Sequence, residues 1–158
     1  MNLPAKTPFP CLWIVFMLAA LSMVMLSPVS LAVTIGDEYG GGIVFYVDGT
    51  GQHGLIAAKE DLPGHSSGKD EGHFTWYDAL SACSDYVPND YSDWFLPNKE
   101  QLTQLYRQKS VIGGFAVDYY WSSSDYSAYF TPGRGSISGF RSGINKYYSN
   151  RVRPVRAF

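Results

Sequence analysis

Cysteine is scarce in this chain: its 158 residues include two cysteines, Cys11 in an N-terminal apolar run and Cys83 in the remainder. A small exported domain usually carries an even number of cysteines that pair as disulfides. We therefore expect the domain to be stabilised by packing, with Cys83 either buried or paired between chains. Burial is the better interpretation, because Cys83 lies on the same predicted helical stripe as Trp76, Ala79 and Leu80.

Acidic residues are absent after Asp125. The basic residues that follow it are Arg134, Arg141, Lys146, Arg151, Arg153 and Arg156, although the formal net charge of the whole chain is −2. A negative net charge, in a chain that we predict to be exported, makes nucleic acid a poor ligand. The basic C-terminal part is therefore the region in which we look for a ligand site.

The sequence also lacks a catalytic constellation. Ser122, Ser123 and Ser124 would need a nearby histidine base, but the three histidines all lie upstream, in or beside loops. No Gly-x-Ser-x-Gly elbow surrounds these serines. We expect their hydroxyl groups to close hydrogen bonds at the end of a strand, and we predict no catalytic residue and no cofactor.

Metal-ligand spacing is missing as well. His65, Asp70, Glu71 and His73 share one polar loop, yet their spacing matches no zinc pattern and no cysteine is near them. A solvated loop is the simpler interpretation, with a transition metal held by this loop as the alternative. We therefore predict no metal site.

Residues 1–32 have the pattern of a secretory signal. Lys6 is the only charge ahead of the apolar run Cys11–Leu26, and Ser30-Leu31-Ala32 places small residues at the positions that a signal peptidase reads. The alternative is a retained membrane anchor, although the run falls just short of the roughly 18 to 20 residues that span a bilayer. Pro28 favours cleavage, near Ala32. We predict one secreted domain, extracellular or periplasmic, over residues 33–158, without membrane contact after cleavage.

Turn and capping residues predict an α+β domain. The β-rich runs Ile43–Val47 and Leu55–Ala58 flank Asp48-Gly49, which predicts a hairpin. Thr75 has the spacing to cap a short helix that ends near Ser84.

A second short helix is predicted after Asn98, which can form a capping box with Gln101. The remainder predicts short strands at Tyr119–Ser123, Ala128–Thr131, Ser136–Phe140, Lys146–Tyr148 and Arg151–Arg156. The expected architecture is two short helices packed on antiparallel β-hairpins and a C-terminal β meander.

Several ordered motifs link the chain to a known family. They are Phe74-Thr75-Trp76 with Cys83 on the same helix, Asp93-Trp94-x-Leu96-Pro97-x-x-Glu100-x-Leu102, Tyr120-Trp121-Ser122-Ser123-Ser124, and the terminal Val152-Arg153-Pro154-Val155-Arg156. With these motifs the chain resembles the bacterial Lcl C-terminal domain family, formerly a domain of unknown function, which takes its name from a Legionella collagen-like adhesin. The resemblance covers nearly all of residues 33–158.

The resemblance implies a C-type-lectin-like fold and, from the named adhesin, a trimer that binds sulfated glycosaminoglycans. Phe95 departs from the family, which usually has arginine there, and Pro154 stands where many members have a second cysteine. The first departure would remove a salt bridge, and the second would remove a disulfide to Cys83. No collagen-like repeat precedes the domain in this sequence, so we do not expect a stalk to enforce a trimer.

Most motif residues are expected to be structural. Large apolar side chains bury surface at the junction of helix and sheet, and this interpretation covers Trp76, Cys83, Trp94, Leu96, Pro97 and Trp121. Arg151 and Arg153 alternate on one face of the last predicted strand, where we expect them to pair with Asp93 or Glu100.

Calcium ligands are missing from the positions that match those of C-type lectins. The calcium-dependent sugar site of those lectins takes a carboxylate on each side of a proline and an Asn-Asp pair after a tryptophan. The matching positions here are Leu96-Pro97-Asn98 and Trp121-Ser122-Ser123, which lack the hard oxygen ligands of calcium. We predict no calcium-dependent sugar binding at that position.

The predicted ligand site consists of Arg134, Arg141, Lys146, Tyr147 and Tyr148. Guanidinium groups suit sulfate, carboxylate and phosphate oxygens, and tyrosine faces suit sugar rings. We predict a non-catalytic, adhesin-like module that binds an anionic or sulfated polysaccharide or another cell-surface glycan. The alternative is that these charges pair with acidic residues across the fold.

Two other functions fit the same sequence. A structural component of a surface assembly would use its aromatic surface for subunit contacts in a homo-oligomer. A formylglycine-generating-type enzyme would share the lectin-like fold and a similar Leu-Pro motif. Its chemistry needs reactive cysteines, however, and Cys83 alone on a buried stripe is a poor source of them.

Overall fold

The computed structural model describes residues 32–64, 72–125, 130–135 and 141–158, and for the strand residues 130–135 and 141–142 it describes the backbone alone. Ala32–Phe158 form one compact unit. Residues 1–31 of the predicted signal segment and the loop residues His65, Asp70 and Glu71 lie outside the described residues.

The described elements form two antiparallel sheets and a set of short helices. In chain order the elements are β1 (Glu38–Tyr39), β2 (Gly42–Val47), β3 (Gly54–Ala57), α1 (Trp76–Ser84), a 3-10 turn (Pro88–Asp90), α2 (Lys99–Arg107), α3 (Lys109–Ile112), β4 (Tyr119–Trp121), β5 (Phe130–Gly135), β6 (Arg141–Asn145) and β7 (Val155–Ala157). One sheet has the order β1-β2-β3-β7 and the other the order β4-β5-β6. The predicted α+β class is confirmed.

The predicted hairpin is present as β2 and β3. Its turn is stabilised by Asp48, whose Oδ1 accepts from the Thr50 hydroxyl at 2.6 Å and from the Thr50 and Gly51 amides at 3.0 Å. These bonds, led by the one from the Thr50 hydroxyl, lower the pKa of the Asp48 carboxyl. Because all the contacts are local, the sequence alone is enough to predict this turn.

Both predicted helices begin at their predicted caps. The Asp78 amide donates to Thr75 Oγ1 at 3.3 Å, but the Asp78 carboxylate accepts from the Thr75 hydroxyl and not from its amide. Asn98 and Gln101 form the complete reciprocal box, with both N···O distances at 2.8 Å. The four-residue helix α3 is an addition to the predicted pair.

The C-terminal part departs from the predicted meander. Tyr147 and Tyr148 lie in a turn after β6 and not in a strand, because the side chain and the carbonyl of Asn145 accept their amides at 3.0 Å. β7 pairs with β3 in the first sheet, with Val155 opposite Ala57. The prediction of a meander that includes the last strand is therefore wrong, since only β4, β5 and β6 follow one another in the second sheet.

Other strand boundaries also differ from the prediction. β5 (Phe130–Gly135) continues past Thr131, where the predicted strand ends, and β6 ends just before the predicted strand Lys146–Tyr148. The predicted start at Ala128 lies outside the described residues. The predicted strand Ser136–Phe140 lies outside the described residues. Turn residues such as glycine indicate where strands are interrupted, but they do not determine the register of the ladder between two neighbouring strands.

The C-terminal segment 150–157, which includes β7, contacts both sheets. It also pairs with the loops that precede α1 and α2. Asn150 pairs with Phe74 and Val155 pairs with Phe95 through backbone hydrogen bonds. Val152 and Val155 lie in two different buried clusters. Arginine and apolar residues alternate in this segment, yet Val152, Arg153 and Val155 are all buried. The alternation therefore does not show which neighbour the last strand pairs with.

The core contains the aromatic residues of the sequence motifs. The motif residues expected to pack at the junction of helix and sheet are all buried: Trp76, Cys83, Trp94, Leu96, Pro97 and Trp121. Trp76 Nε1 donates to the Ser122 carbonyl at 2.8 Å, and Trp121 Nε1 donates to the Phe74 carbonyl at 2.7 Å. Within the described residues, no helix has the length and apolar character needed to cross a membrane.

Candidate functional site

Arg153 is the most enclosed of the C-terminal cations whose side chains the structure describes. Its Nε donates to Asp61 Oδ1 at 2.6 Å, and Asp61 Oδ2 accepts from the Tyr120 hydroxyl at 2.6 Å. Burial and, after it, the hydrogen bond to Asp61 raise the pKa of Tyr120. The other acceptors of the guanidinium, at 2.6 to 3.3 Å, are the carbonyls of Ala58, Lys59, Gly113 and Gly114. This group holds the interior together and adds no charge to the surface.

Arg156 and Arg151 also face acidic residues. Arg156 donates to both oxygens of Asp93, at 2.7 and 2.8 Å, and Arg151 Nε lies 3.7 Å from Asp118. The predicted pairing of Asp93 with Arg151 or Arg153 is therefore wrong in its partners. These charges do pair with acids across the fold, as the alternative interpretation of the basic part predicts.

Lys146 is buried, which corrects its predicted place in an open ligand site. Its side chain is 3% exposed, and its Nζ lies 2.8 Å from Asp125 and 4.1 Å from the centre of the Trp76 ring. A buried ammonium needs such partners, because burial removes its water. Lys146 therefore supports the fold beneath the surface.

Arg134 and Arg141 are separated from the predicted tyrosines along β5 and β6. They are direct cross-strand partners at one end of this ladder, whereas Phe130 pairs with Asn145 at the other end. Four residue steps along a strand span roughly 13 Å, and Tyr147 follows β6 beyond Asn145. Of the five predicted ligand residues, Lys146 is buried, and the backbones of Arg134 and Arg141 lie at the opposite end of the ladder from Tyr147 and Tyr148. The side chains of the two arginines lie outside the described part.

Two exposed tyrosine rings, Tyr77 and Tyr147, form the candidate site, which we call the tyrosine platform. Tyr77 is 47% exposed and Tyr147 is 66% exposed. Their ring centroids lie 6.3 Å apart, with the planes inclined by 53°. The Trp76 ring packs edge-on against Tyr77 at 5.3 Å. Tyr148, another predicted ligand residue, is equally exposed in the same turn as Tyr147.

Backbone contacts hold the two rings together. The Trp76 amide donates to the Lys146 carbonyl at 3.1 Å, which fastens the start of α1 to the turn that carries Tyr147. The Lys146 ammonium over the Trp76 ring adds a second contact between the same two elements. Since the rings are positioned before a ligand arrives, less conformational entropy is lost on binding.

Sequence reasoning identified Tyr147 and missed Tyr77. A signal for Tyr77 is present, because it follows the buried Trp76 by one position on an amphipathic helix and so turns toward solvent. Its proximity to Tyr147 has no local signal, since the two residues belong to different elements.

The Cys83 thiol and the serine run are engaged in the fold. Burial raises the pKa of the Cys83 thiol to about 12, so it stays protonated at neutral pH. The Ser122 carbonyl accepts from the Trp76 indole, and the Ser124 hydroxyl accepts from the Lys99 amide at 2.8 Å. These bonds tie the end of β4 to the beginnings of α1 and α2.

Among the described residues, no group of three histidine, cysteine, aspartate or glutamate side chains is arranged to hold a metal ion. Of the four loop residues considered as metal ligands, His73 alone is described. Its Nε2 lies 2.6 Å from Asp118 Oδ2, the same carboxylate oxygen that lies 3.7 Å from Arg151 Nε.

Comparison with known proteins adds no relative to this description: no family model matches the chain, and no curated protein matches it significantly. The resemblance to the Lcl C-terminal domain family is therefore carried by the sequence motifs alone.

Proposed function

We propose that this protein is a secreted, non-enzymatic binding module of C-type-lectin-like fold, related to the Lcl C-terminal domain family, that attaches to a cell-surface glycan. The observation that carries the proposal is the tyrosine platform, with two exposed rings 6.3 Å apart above the buried Trp76. A tyrosine ring offers a flat apolar face with a polar edge, which suits the apolar face and the hydroxyls of a sugar.

Charge has a smaller part in this proposal than the basic sequence indicates. Lys146, Arg153 and Arg156 are paired with acids inside the fold. Arg134 and Arg141 keep their proposed role as anion-binding residues, at the far end of the β5–β6 ladder, roughly 13 Å from the turn after β6. A polysaccharide reaches across that distance, whereas a single sugar does not. The proposed ligand is therefore an anionic or sulfated polysaccharide.

A shallow platform binds one sugar weakly, so attachment to a surface would depend on several copies acting together. Linked weak sites gain strongly in overall affinity when they engage one polymer. We therefore include a homo-oligomer, such as a trimer, in the proposal. The ionic part of the binding should weaken as salt rises, because exposed charges are screened.

Retention on immobilised dextran sulfate and on uncharged dextran, each at low and high salt, tests the proposal. Tyr77→Ala and Tyr147→Ala should each lower retention on dextran sulfate about tenfold, because each removes one stacking ring. The double variant Arg134→Glu, Arg141→Glu should lose the part of dextran sulfate retention that depends on salt. Tyr46→Ala is the matched control, since Tyr46 is an exposed tyrosine on β2. Unchanged retention in both platform variants would overturn the proposal.

A structural role in a surface assembly is the second candidate, and one observation favours it. Ile35, Val111 and Val117 are exposed apolar residues, and a Cβ atom at Gly36 would lie 3.1 Å from Val111 Cγ1, so the segment around Ile35 adjoins Val111. Exposed apolar surface of this kind suits a subunit contact. Sedimentation would favour this role if the mass rose with concentration while neither polymer retained the protein.

A formylglycine-generating-type enzyme is the third reading of the motifs. Its chemistry needs a reactive thiol, and the burial that raises the pKa of Cys83 to about 12 works against one.

A further inference from the structure

A pocket of about 240 Å³ lies at the edge of the first sheet, where β1 turns into β2. Its lining consists of the glycine run 40–42 with Glu38, Tyr39, Lys59 and Asn89. None of these residues belongs to the tyrosine platform, and the proposed function makes no use of them.

The floor of the pocket is bare backbone. Gly40 and Gly41 have φ values of +54° and +88°, and a side chain at either position would meet Arg156 or Tyr91. Within the described part of the chain, neither glycine amide donates a hydrogen bond. Both amides are therefore left for water or for a ligand at the pocket that these glycines line.

A charged group behind the floor holds it in place. Arg156 donates to the Gly40 carbonyl at 3.0 Å and to both oxygens of Asp93. The Arg156 guanidinium also lies 4.0 Å from the centre of the Tyr91 ring. The glycine turn is thus fixed from behind, and its amides are positioned before a ligand arrives.

The walls supply an aromatic ring and a free amide. Tyr39 is 47% exposed and packs against Phe158 with ring centroids 5.1 Å apart. Asn89 is exposed and has a φ of +54°, and its side chain makes no hydrogen bond to any described residue. Asparagine adopts this left-handed conformation more readily than most residues, so the turn holds Asn89 in place without a large cost.

The rim carries balanced charge. Lys59 Nζ lies 2.6 Å from Glu38 Oε2, and both side chains are more than half exposed. Because the two charges cancel, the pocket has no net attraction for an anion or a cation. It offers donors from the glycine amides and Lys59, an acceptor from Glu38, and both kinds of group from Asn89.

We propose that this pocket binds a single neutral pyranose residue. Hydroxyl groups around a sugar ring both donate and accept, so they match the mixed polar lining, and the apolar face of the ring suits Tyr39. The volume lies below the roughly 300 to 1,000 Å³ of pockets for drug-sized ligands, which favours one ring over an oligosaccharide. This site goes beyond the proposed function and does not rest on it.

The test is an NMR titration of the ¹⁵N-labelled protein, expressed from the full chain. The ligands are the methyl glycosides of glucose, galactose, mannose and N-acetylglucosamine. At least one should shift the amide signals of Gly40 and Gly41 saturably, with a Kd of about 1 mM for so small and open a site. Glucuronate, which matches in size but carries a charge, should bind more weakly. The platform signals of Tyr77 and Tyr147 should not follow the same titration.

Two substitutions separate a sugar site from a passive surface. Asn89→Gly removes the amide but keeps the positive φ without strain, and it should weaken the binding about tenfold. Glu38→Gln removes the charged acceptor and should weaken it similarly. Tyr46→Ala on β2 is the control and should leave glycoside binding unchanged.

The proposal is overturned if no glycoside shifts the two glycine amides, if glucuronate binds more tightly, or if Asn89→Gly binds as well as the parent protein. Since dextran sulfate retention is measured separately, failure here leaves the platform proposal standing.

Discussion

Arg153 and Lys146 both carry a positive charge into the interior from the same acid-free part of the chain, but their surroundings differ. The Arg153 guanidinium is wrapped by four backbone carbonyls and by Asp61, which is itself 10% exposed. The Lys146 ammonium lies over the Trp76 ring, and its acid, Asp125, is 51% exposed. The Arg153 guanidinium is thus enclosed by protein acceptors, whereas the Lys146 ammonium lies at the boundary between core and surface.

The difference shows how one sequence pattern serves two purposes. Arg153 bonds to carbonyls that follow β3 and α3 and, through Asp61, contacts Tyr120 on β4. Its loss would therefore leave several buried polar groups without a hydrogen-bond partner. Lys146 fastens the turn after β6 to α1, and these are the two elements that carry the tyrosine platform. Its loss would leave a half-exposed carboxylate that water can solvate. The first site should therefore decide whether the domain folds, and the second whether the platform keeps its shape.

The largest effect is expected for Arg153→Met. It should lower the free energy of unfolding by about 3 to 5 kcal/mol, because Asp61 and the backbone carbonyls would remain buried without their donor. Urea unfolding followed by tryptophan fluorescence measures this change. Arg107→Met, at an exposed position in α2, is the control and should change stability by no more than about 0.5 kcal/mol. A loss below about 1 kcal/mol for Arg153→Met would break the comparison.

A smaller effect is expected for Lys146→Met. Methionine keeps an apolar contact with Trp76 but loses the cation, so the loss of stability should be about 1 to 2 kcal/mol. The same urea measurement, with dextran sulfate retention beside it, should show that retention falls by more than stability alone explains. If Lys146→Met were as destabilising as Arg153→Met, the two sites would not differ in the way described.

Alkylation of Cys83 sharpens the comparison, because this thiol lies on the buried face of α1, the helix that carries Tyr77. Burial raises its pKa from 9.0 to about 12. The stabilisation linked to the protonated thiol is therefore complete below the ordinary thiol pKa and is lost as the pH rises from there toward about 12. At pH 8 the native thiol should react with iodoacetamide about a thousandfold more slowly than the unfolded one, from the ionised fraction alone.

The Lys146→Met variant should speed this alkylation more than an Arg153 variant of equal overall stability, since it loosens α1 directly. Equal rates in the two variants would indicate that the domain opens only as a whole. A fast reaction of the parent protein at pH 8 would contradict the buried thiol and would revive the enzyme interpretation.

Site residues whose surroundings are local in sequence could be predicted, whereas those whose contacts are distant in sequence could not. Tyr147 and Tyr148 are exposed, as their polar, turn-rich surroundings indicate. The helical pattern around Trp76 is also enough to predict that Tyr77 is exposed. The acid-free sequence around Lys146 predicts an exposed ammonium group, yet Asp125, 21 positions before it, lies 2.8 Å from its Nζ in the fold. Charge counted along a sequence does not show which charges are neutralised in space.

By itself the sequence determined the hairpin at Asp48 and the helix starts at Thr75 and Asn98, because each depends on hydrogen bonds between residues two or three positions apart. The order of these local elements along the chain was enough to give the α+β class. Only the tertiary structure decided that β7 joins β3, that Arg153 pairs with an acid 92 positions away, and that two tyrosines meet on the surface. Those choices depend on how the elements pack around a shared core, and no pattern within a single element carries that information.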